Sequence, residues 1–141
     1  MNVILNASQS NTRKGDINLP GSVDLTGKEN LLWKIVNTAG AANFALPTAV
    51  ADYAVFVGAS GDNIGNNSAA ESPTLGENCR ILLDGACNAG DVLSLSSNKF
   101  GRIFKPAGGA GVVYYNWVAE EAGVDGQLLL VRRIAERTAT L

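Results

Sequence analysis

The sequence predicts an all-β protein: a single β-sandwich or β-barrel of about eight short antiparallel strands with an extended N-terminal arm. Three observations predict it. From residue 31 onward, short runs rich in β-branched and aromatic side chains alternate with clusters of turn residues. Sixteen glycines against four prolines supply many tight turns. Residues 1–30 differ in kind: Asn, Ser, Thr and Gly dominate, and the scattered apolar side chains are too few to pack by themselves.

The expected organisation is therefore an arm over residues 1–30 and a β-rich domain over residues 31–141. In the arm, Ser8-Gln9-Ser10-Asn11-Thr12-Arg13-Lys14-Gly15-Asp16 is polar throughout, and Ile17, Leu19, Val23 and Leu25 are its apolar points. That pattern fits terminal disorder or a segment that orders against a neighbour. Residues 31–37 then read as a strand ending at Thr38-Ala39-Gly40, and residues 42–46 as a second that stops at Pro47. Ala49-Val50-Ala51-Asp52 has room for one helical turn. Residues 52–57 are β-branched and aromatic, and Gly58 onward breaks them. Residues 59–76 read as a long polar loop.

The second half repeats the alternation. Arg80-Ile81-Leu82-Leu83 runs into an Asp84-Gly85 turn. In residues 91–96, a period of two puts Val92, Ser94 and Ser96 on one face and Leu93 with Leu95 on the other. Ser97-Asn98-Lys99 turns into residues 100–105. After the break at residues 106–111, residues 112–119 form a strand; a helical turn over residues 117–122 is disfavoured by Trp117 and Val118. Asp125-Gly126 opens the last strand, residues 127–134.

Composition excludes whole classes of chemistry. The chain of 141 residues has no histidine, so it has no Ser-His-Asp or Cys-His pair and no imidazole base or ligand. Two cysteines, Cys79 and Cys87, make neither a metal array nor a disulfide scaffold; they read as reduced, partly buried thiols, although a short hairpin would allow them to bond. A net charge of −2 gives no electrostatic basis for binding nucleic acid or an anionic membrane. No signal peptide is expected, and no run approaches the ~18–20 apolar residues of a membrane helix. The length suits one domain, which buries roughly 68–70% of its unfolded surface. Only 17% of residues are charged, a fraction below the usual ~25%, which points to a surface partly covered by a partner.

Each candidate for chemistry has a plainer reading. Ala107-Gly108-Gly109-Ala110-Gly111 lacks the Lys and Ser/Thr of a phosphate loop and precedes a strand, so it reads as a turn. Glu120 and Glu121 point to opposite faces of a strand and cannot share one substrate. Asp62, Asn63, Asn66 and Asn67 offer oxygen ligands without the spacing of a calcium loop. Arg132 and Arg133, with Arg137, fit interface salt bridges or a guarded edge strand. Tyr114, Tyr115 and Trp117 read as core, with a subunit or sugar-binding surface as the alternative.

The order of several stretches resembles the small decoration, or cement, proteins of tailed-phage capsids. These are Leu46-Pro47-Thr48-Ala49 before Tyr53-Ala54-Val55-Phe56-Val57-Gly58; Arg80-Ile81-Leu82-Leu83-Asp84-Gly85 before Ala89-Gly90-Asp91-Val92-Leu93; Asn98-Lys99-Phe100-Gly101-Arg102-Ile103; Trp117-Val118-Ala119-Glu120-Glu121-Ala122-Gly123; and Gly126-Gln127-Leu128-Leu129-Leu130-Val131. The resemblance covers residues 31–134; the polar arm and the loop at 59–76 depart from the shortest members. It implies a non-enzymatic knob on the outer capsid surface, without cofactor. Its partner would be the major capsid protein, and it would stabilise the shell by bridging neighbouring capsomers. It implies self-assembly, a homotrimer first and a homodimer second, and a protein made in the host cytoplasm and carried on the virion. The expected contact residues are Arg13, Lys14, Ile17, Leu19, Trp33, Tyr115, Trp117, Arg132 and Arg133. The alternative is a carbohydrate- or receptor-binding β module of a tail fibre or secreted protein. That reading needs coplanar exposed aromatics among Tyr114, Tyr115, Trp33 and Trp117. A hydrolase using carboxylates alone is a third reading and needs two acids facing each other in a pocket.

Overall fold

The computed structural model describes residues 17–141. Ten strands follow one another: β1 (Ile17–Pro20), β2 (Leu32–Thr38), β3 (Ala41–Ala45), β4 (Phe56–Ser60), β5 (Asn67–Glu71), β6 (Asn78–Leu82), β7 (Val92–Leu95), β8 (Ile103–Phe104), β9 (Val112–Ala119) and β10 (Leu128–Thr140). The described residues contain no helix. The strands form two five-stranded antiparallel sheets, ordered β1-β5-β4-β2-β3 and β6-β10-β9-β7-β8.

The first sheet curls until its two edges meet. Gly21, just past β1, bridges Phe44 of β3, and the Ser22 N–H donates to the Phe44 carbonyl at 2.8 Å. Closure leaves a small barrel filled by Leu25, Trp33, Phe44 and Ala70, with Ile17, Leu19, Leu31, Leu46 and Phe56 packed against them. Phe44 sits between Trp33 and Phe56, at centroid distances of 5.3 and 6.0 Å and tilted to both, the arrangement aromatic quadrupoles favour. The second sheet closes the same way, through a bridge from Leu83 to Ile103 of β8. Its core holds Ile81, Leu83, Leu93, Ile103, Trp117, Leu129 and Val131.

Strands β2 and β4 are a wall common to both cores. Successive strand side chains point to opposite faces. Trp33 and Phe56 therefore enter the barrel, while their chain neighbours Leu32 and Val57 join the core of the second sheet. Backbone bonds tie the two sheets along this wall: Leu32 N–H to the Gly101 carbonyl at 2.7 Å, and Leu82 N–H to the Asn30 carbonyl at 3.0 Å. The wall also demands glycine at one position. A Cβ on Gly58 would lie 2.4 Å from Cζ2 of Trp33 and 2.9 Å from the Lys28 carbonyl oxygen, which itself accepts the Trp33 Nε1–H at 3.1 Å.

The fold is all-β as expected, but it has ten strands in two sheets where about eight were expected. The extra pair arises where the sequence reads as arm and loop. Ile17–Pro20 runs antiparallel to Asn67–Glu71, with Ile17 opposite Ala70 and Leu19 opposite Ser68. The β5 strand keeps a period of two, but its inward residues are Ser68 and Ala70, so hydrophobicity does not mark it. Ser68 is satisfied by accepting the Asp62 N–H at 2.9 Å. The expected extended arm is corrected accordingly: Ile17 to Pro20 lie in a sheet and Leu25 is fully buried. Arg13, Lys14 and the other residues before Ile17 lie outside the described residues.

Three local differences remain, and two have simple causes. The strand expected from residue 52 begins at Phe56, because the Asp52 carboxylate accepts the N–H groups of Thr48 (2.7 Å) and Ala49 (3.1 Å) and holds a turn there instead of a helical turn. The face of Ser94 and Ser96 is buried along with Leu93 and Leu95, because the register of β7 against β9 slips between Leu93 and Ser94. Buried Ser96 donates to Asp84 at 2.6 Å and accepts from the N–H groups of Asn98 and Lys99. The last strand, β10, runs on to Thr140.

Candidate interaction surfaces

The aromatic and arginine residues of β9 and β10 form a ladder on one sheet. Arg133 lies opposite Trp117 and Arg137 opposite Tyr115, with a bulge between the two rungs. Their guanidinium carbons stand 5.7 Å from the Trp117 centroid and 5.8 Å from the Tyr115 centroid, within cation–π range. Adjacent Arg132 turns the other way, to Glu120 at 2.7 Å and to the Gly76 carbonyl. Arg133 also donates to the Pro73 carbonyl and to the Tyr53 hydroxyl, each at 3.2 Å.

This ladder is mostly structural. Trp33, Trp117 and Tyr115 are 0%, 1% and 7% exposed, so the chain's own core uses these rings. Ile17 and Leu19 pack against the barrel interior. Among the expected contact residues that the structure describes, Arg132 and Arg133 reach the surface, and both already have partners within the chain. Residue type at these positions is legible in the sequence, but the face each side chain occupies is not.

The acids are also engaged. Glu120 pairs with Arg132, while Glu121 pairs with Arg80 at 3.1 Å and accepts the Leu130 N–H at 3.2 Å, so the neighbours diverge. Asp125 accepts the Gly85 N–H at 2.9 Å; that bond, with Lys99 and Arg102 nearby, holds its carboxyl below the usual range. For Asp52, burial raises the pKa, but the donors Thr48, Lys34 and Ala49 outweigh it and leave it lowered. No group of three or more Cys, Asp or Glu close enough to hold a metal ion occurs among the described residues.

Cys79 and Cys87 are both buried and unbonded. Burial, with Glu71 and Glu77 disfavouring a thiolate and Arg133 opposing them, pushes the Cys79 thiol from 9.0 up to about 12. The folded chain therefore keeps this proton where the unfolded chain releases it. The contribution of Cys79 to stability is thus intact below pH 9.0 and is lost as pH rises toward about 12. At pH 8 the thiolate fraction falls on the order of 10³-fold below that of a free cysteine. Iodoacetamide should leave Cys79 unmodified in the native protein and alkylate it in urea, as read by mass spectrometry; native alkylation at the urea rate would contradict this environment.

A different surface is open. Two adjoining shallow depressions share Ile35 and Val36; one is completed by Lys34, Asp52, Tyr53 and Phe56, the other by Asn37, Gly40, Ala41 and Ala42. Ile35 is 40% and Tyr53 60% exposed. The apolar centre is edged by the Lys34–Asp52 pair at 2.9 Å and by Arg133, which holds the Tyr53 hydroxyl. An apolar middle with a polar rim is the anatomy of a protein interface. A sequence signal for it exists and was missed: no charged residue occurs from Ile35 to Ala51.

The sequence matches no protein family and no curated protein. Among solved structures, the chain is similar to the N base of head fibre gp8.5 in bacteriophage phi29, with a TM-score of 0.64 and 12% identity over 84% of this chain and 92% of that one. At that identity the likeness shows a common fold, spanning most of both chains.

Proposed function

We propose that this protein is a non-enzymatic structural component of a phage head, a base that docks on the outer capsid surface and braces neighbouring capsomers. The observation that carries the reading is the fold held in common with a head fibre base over most of both chains. The order of motifs in residues 31–134 supports it independently. The partner is the major capsid protein, and the contact is the apolar surface around Ile35, Val36 and Tyr53 with its charged rim. Each copy contributes a modest area, and many copies on one shell raise the work of separating capsomers. The protein is made in the host cytoplasm and resides on the virion, and it assembles with itself as a trimer or a dimer. The carbohydrate-binding alternative requires exposed coplanar rings among Tyr114, Tyr115, Trp33 and Trp117; Trp33, Trp117 and Tyr115 are buried, which leaves the half-buried Tyr114 without a second ring.

The test is direct. Purified protein added to undecorated heads of its own phage should co-sediment with them and raise the temperature at which they open. Ile35→Asp should weaken binding at least tenfold while the free protein stays folded, since Ile35 is 40% exposed. Full occupancy with an unchanged opening temperature would remove the bracing role, and absence of co-sedimentation would remove the docking role.

A further inference from the structure

Strand β10 outruns its neighbour. Strand β6 pairs with it from Leu128 to Arg132, and two backbone bonds extend the ladder to Arg133: Arg133 N–H to Glu77 and Gly76 N–H to Arg133, both 2.8 Å. Beyond that point a bulge spans residues 134–136, residues 137–140 pair with β9 on one side, and among the described residues no strand pairs on the other. The direction of the free groups is determined. Gly111 and Leu141 exchange both backbone bonds, at 2.9 and 3.4 Å. Antiparallel ladders alternate bonded and non-bonded pairs, so Ala139 and Arg137 bond inward to β9, and the N–H and C=O groups of Thr138 and Thr140 point out along the open edge.

Charges normally guard such an edge. Here they are folded back over β9. The Glu136 carboxylate accepts the Asn116 side-chain N–H at 3.3 Å, and the Arg137 guanidinium stacks on Tyr115. What faces outward is Thr138-Ala139-Thr140, small and β-favouring, with neither proline nor lysine.

We propose that this edge pairs with the same edge of a second copy, antiparallel about a two-fold axis through Thr138. The second copy is the occupant because the edge is complementary to itself in one register. Centred on Arg137, the pairing opposes two guanidinium groups; centred on Glu136, it opposes two carboxylates. Centred on Thr138, it opposes Thr138 to Thr138 and Arg137 to Ala139, with Glu136 in the bulge next to Thr140 of the mate. This register sets no like charges against each other. An isologous contact closes at two copies, so the geometry favours the homodimer over the homotrimer. The inference uses only the open edge and does not depend on attachment to a phage head.

Thr138→Cys tests it. Thr138 and its mate form a hydrogen-bonded pair with Cα atoms about 5.5 Å apart, inside the range of about 4.4–6.8 Å that a disulfide spans. The two thiols of a Thr140→Cys pair would instead be four strand residues apart, about 13 Å. Oxidised glutathione, which takes up the two electrons, should convert Thr138→Cys into a covalent dimer and leave Thr140→Cys and the wild type uncrosslinked, since Cys79 and Cys87 are buried. Thr138→Pro removes one outward N–H and keeps the inward ladder. It should raise the dimer dissociation constant at least tenfold in sedimentation equilibrium, with an unchanged circular dichroism spectrum. If that variant misfolds, the two cysteine variants still decide. Equal crosslinking of the two, no crosslinking of Thr138→Cys, or a wild type that stays monomeric at millimolar concentration would overturn the proposal. A dimer that fails to bind heads would leave it standing and sink the head-docking function instead.

Discussion

Gly58→Ala is expected to lower the thermal unfolding midpoint by about 10 °C, from a loss of about 3 kcal/mol. The single added methyl has nowhere to go. Its carbon would sit 2.4 and 2.5 Å from two atoms of the Trp33 indole and 2.9 Å from a backbone carbonyl. Trp33 cannot swing aside, because it is fully buried against Phe44 and its N–H is bonded to Lys28. A double-mutant cycle separates this clash from a general intolerance of β4. The two indole atoms nearest the new methyl, Cζ2 and Cε2, belong to the part of the fused ring system that phenylalanine does not reproduce. Trp33→Phe combined with Gly58→Ala should therefore cost at least about 1 kcal/mol less than the sum of the single changes. Additive losses by urea titration would show that the indole is not what excludes a side chain at position 58.

Trp117→Ala is expected to cost about 3–5 kcal/mol, the range for removing a buried tryptophan. That is a large part of the stability of an ordinary domain, about 5–15 kcal/mol. Two losses combine. Trp117 is 1% exposed within the larger core, and its ring is the face on which the Arg133 guanidinium rests at 5.7 Å. Without the ring, that charge lies over a void, and Arg133 Nε is already buried without a hydrogen-bond partner. Trp117→Phe keeps an aromatic face and should cost less than half as much. A loss below about 1 kcal/mol for the alanine variant would mean that the second core collapses around the gap.

What the sequence makes legible follows from how secondary structure writes itself in side chains. The limits of β9, Val112–Ala119, are readable to the residue, because an unbroken β-favouring run follows the break at residues 106–111; the alternation of inward Val113, Tyr115, Trp117 and Ala119 is set by the fold. Strand β5 is not readable, because Ser68 and Ala70 fill its inward positions and their burial is decided by the close approach of β1. Facing along β7 fails at one slipped pair, since a bulge shifts the side on which each later side chain falls. The surface was misjudged for a related reason. Trp33, Tyr115 and Trp117 have the residue types of an interface, but two closed sheets consume them internally. The open patch is built from Ile35, Val36 and Ala42, residues that look in sequence like any half-buried strand.

The β2–β4 wall also sets how this chain tolerates changes in length. Because Leu32 and Trp33 serve opposite cores, inserting or deleting one residue ahead of them exchanges their destinations. An indole would be driven into the space of a leucine, and the barrel would be left with a hole. Both compartments would fail together, with no intact half to fall back on. Length variation among distant kin should therefore gather in turns such as residues 106–111 and spare residues 31–36 and 54–58.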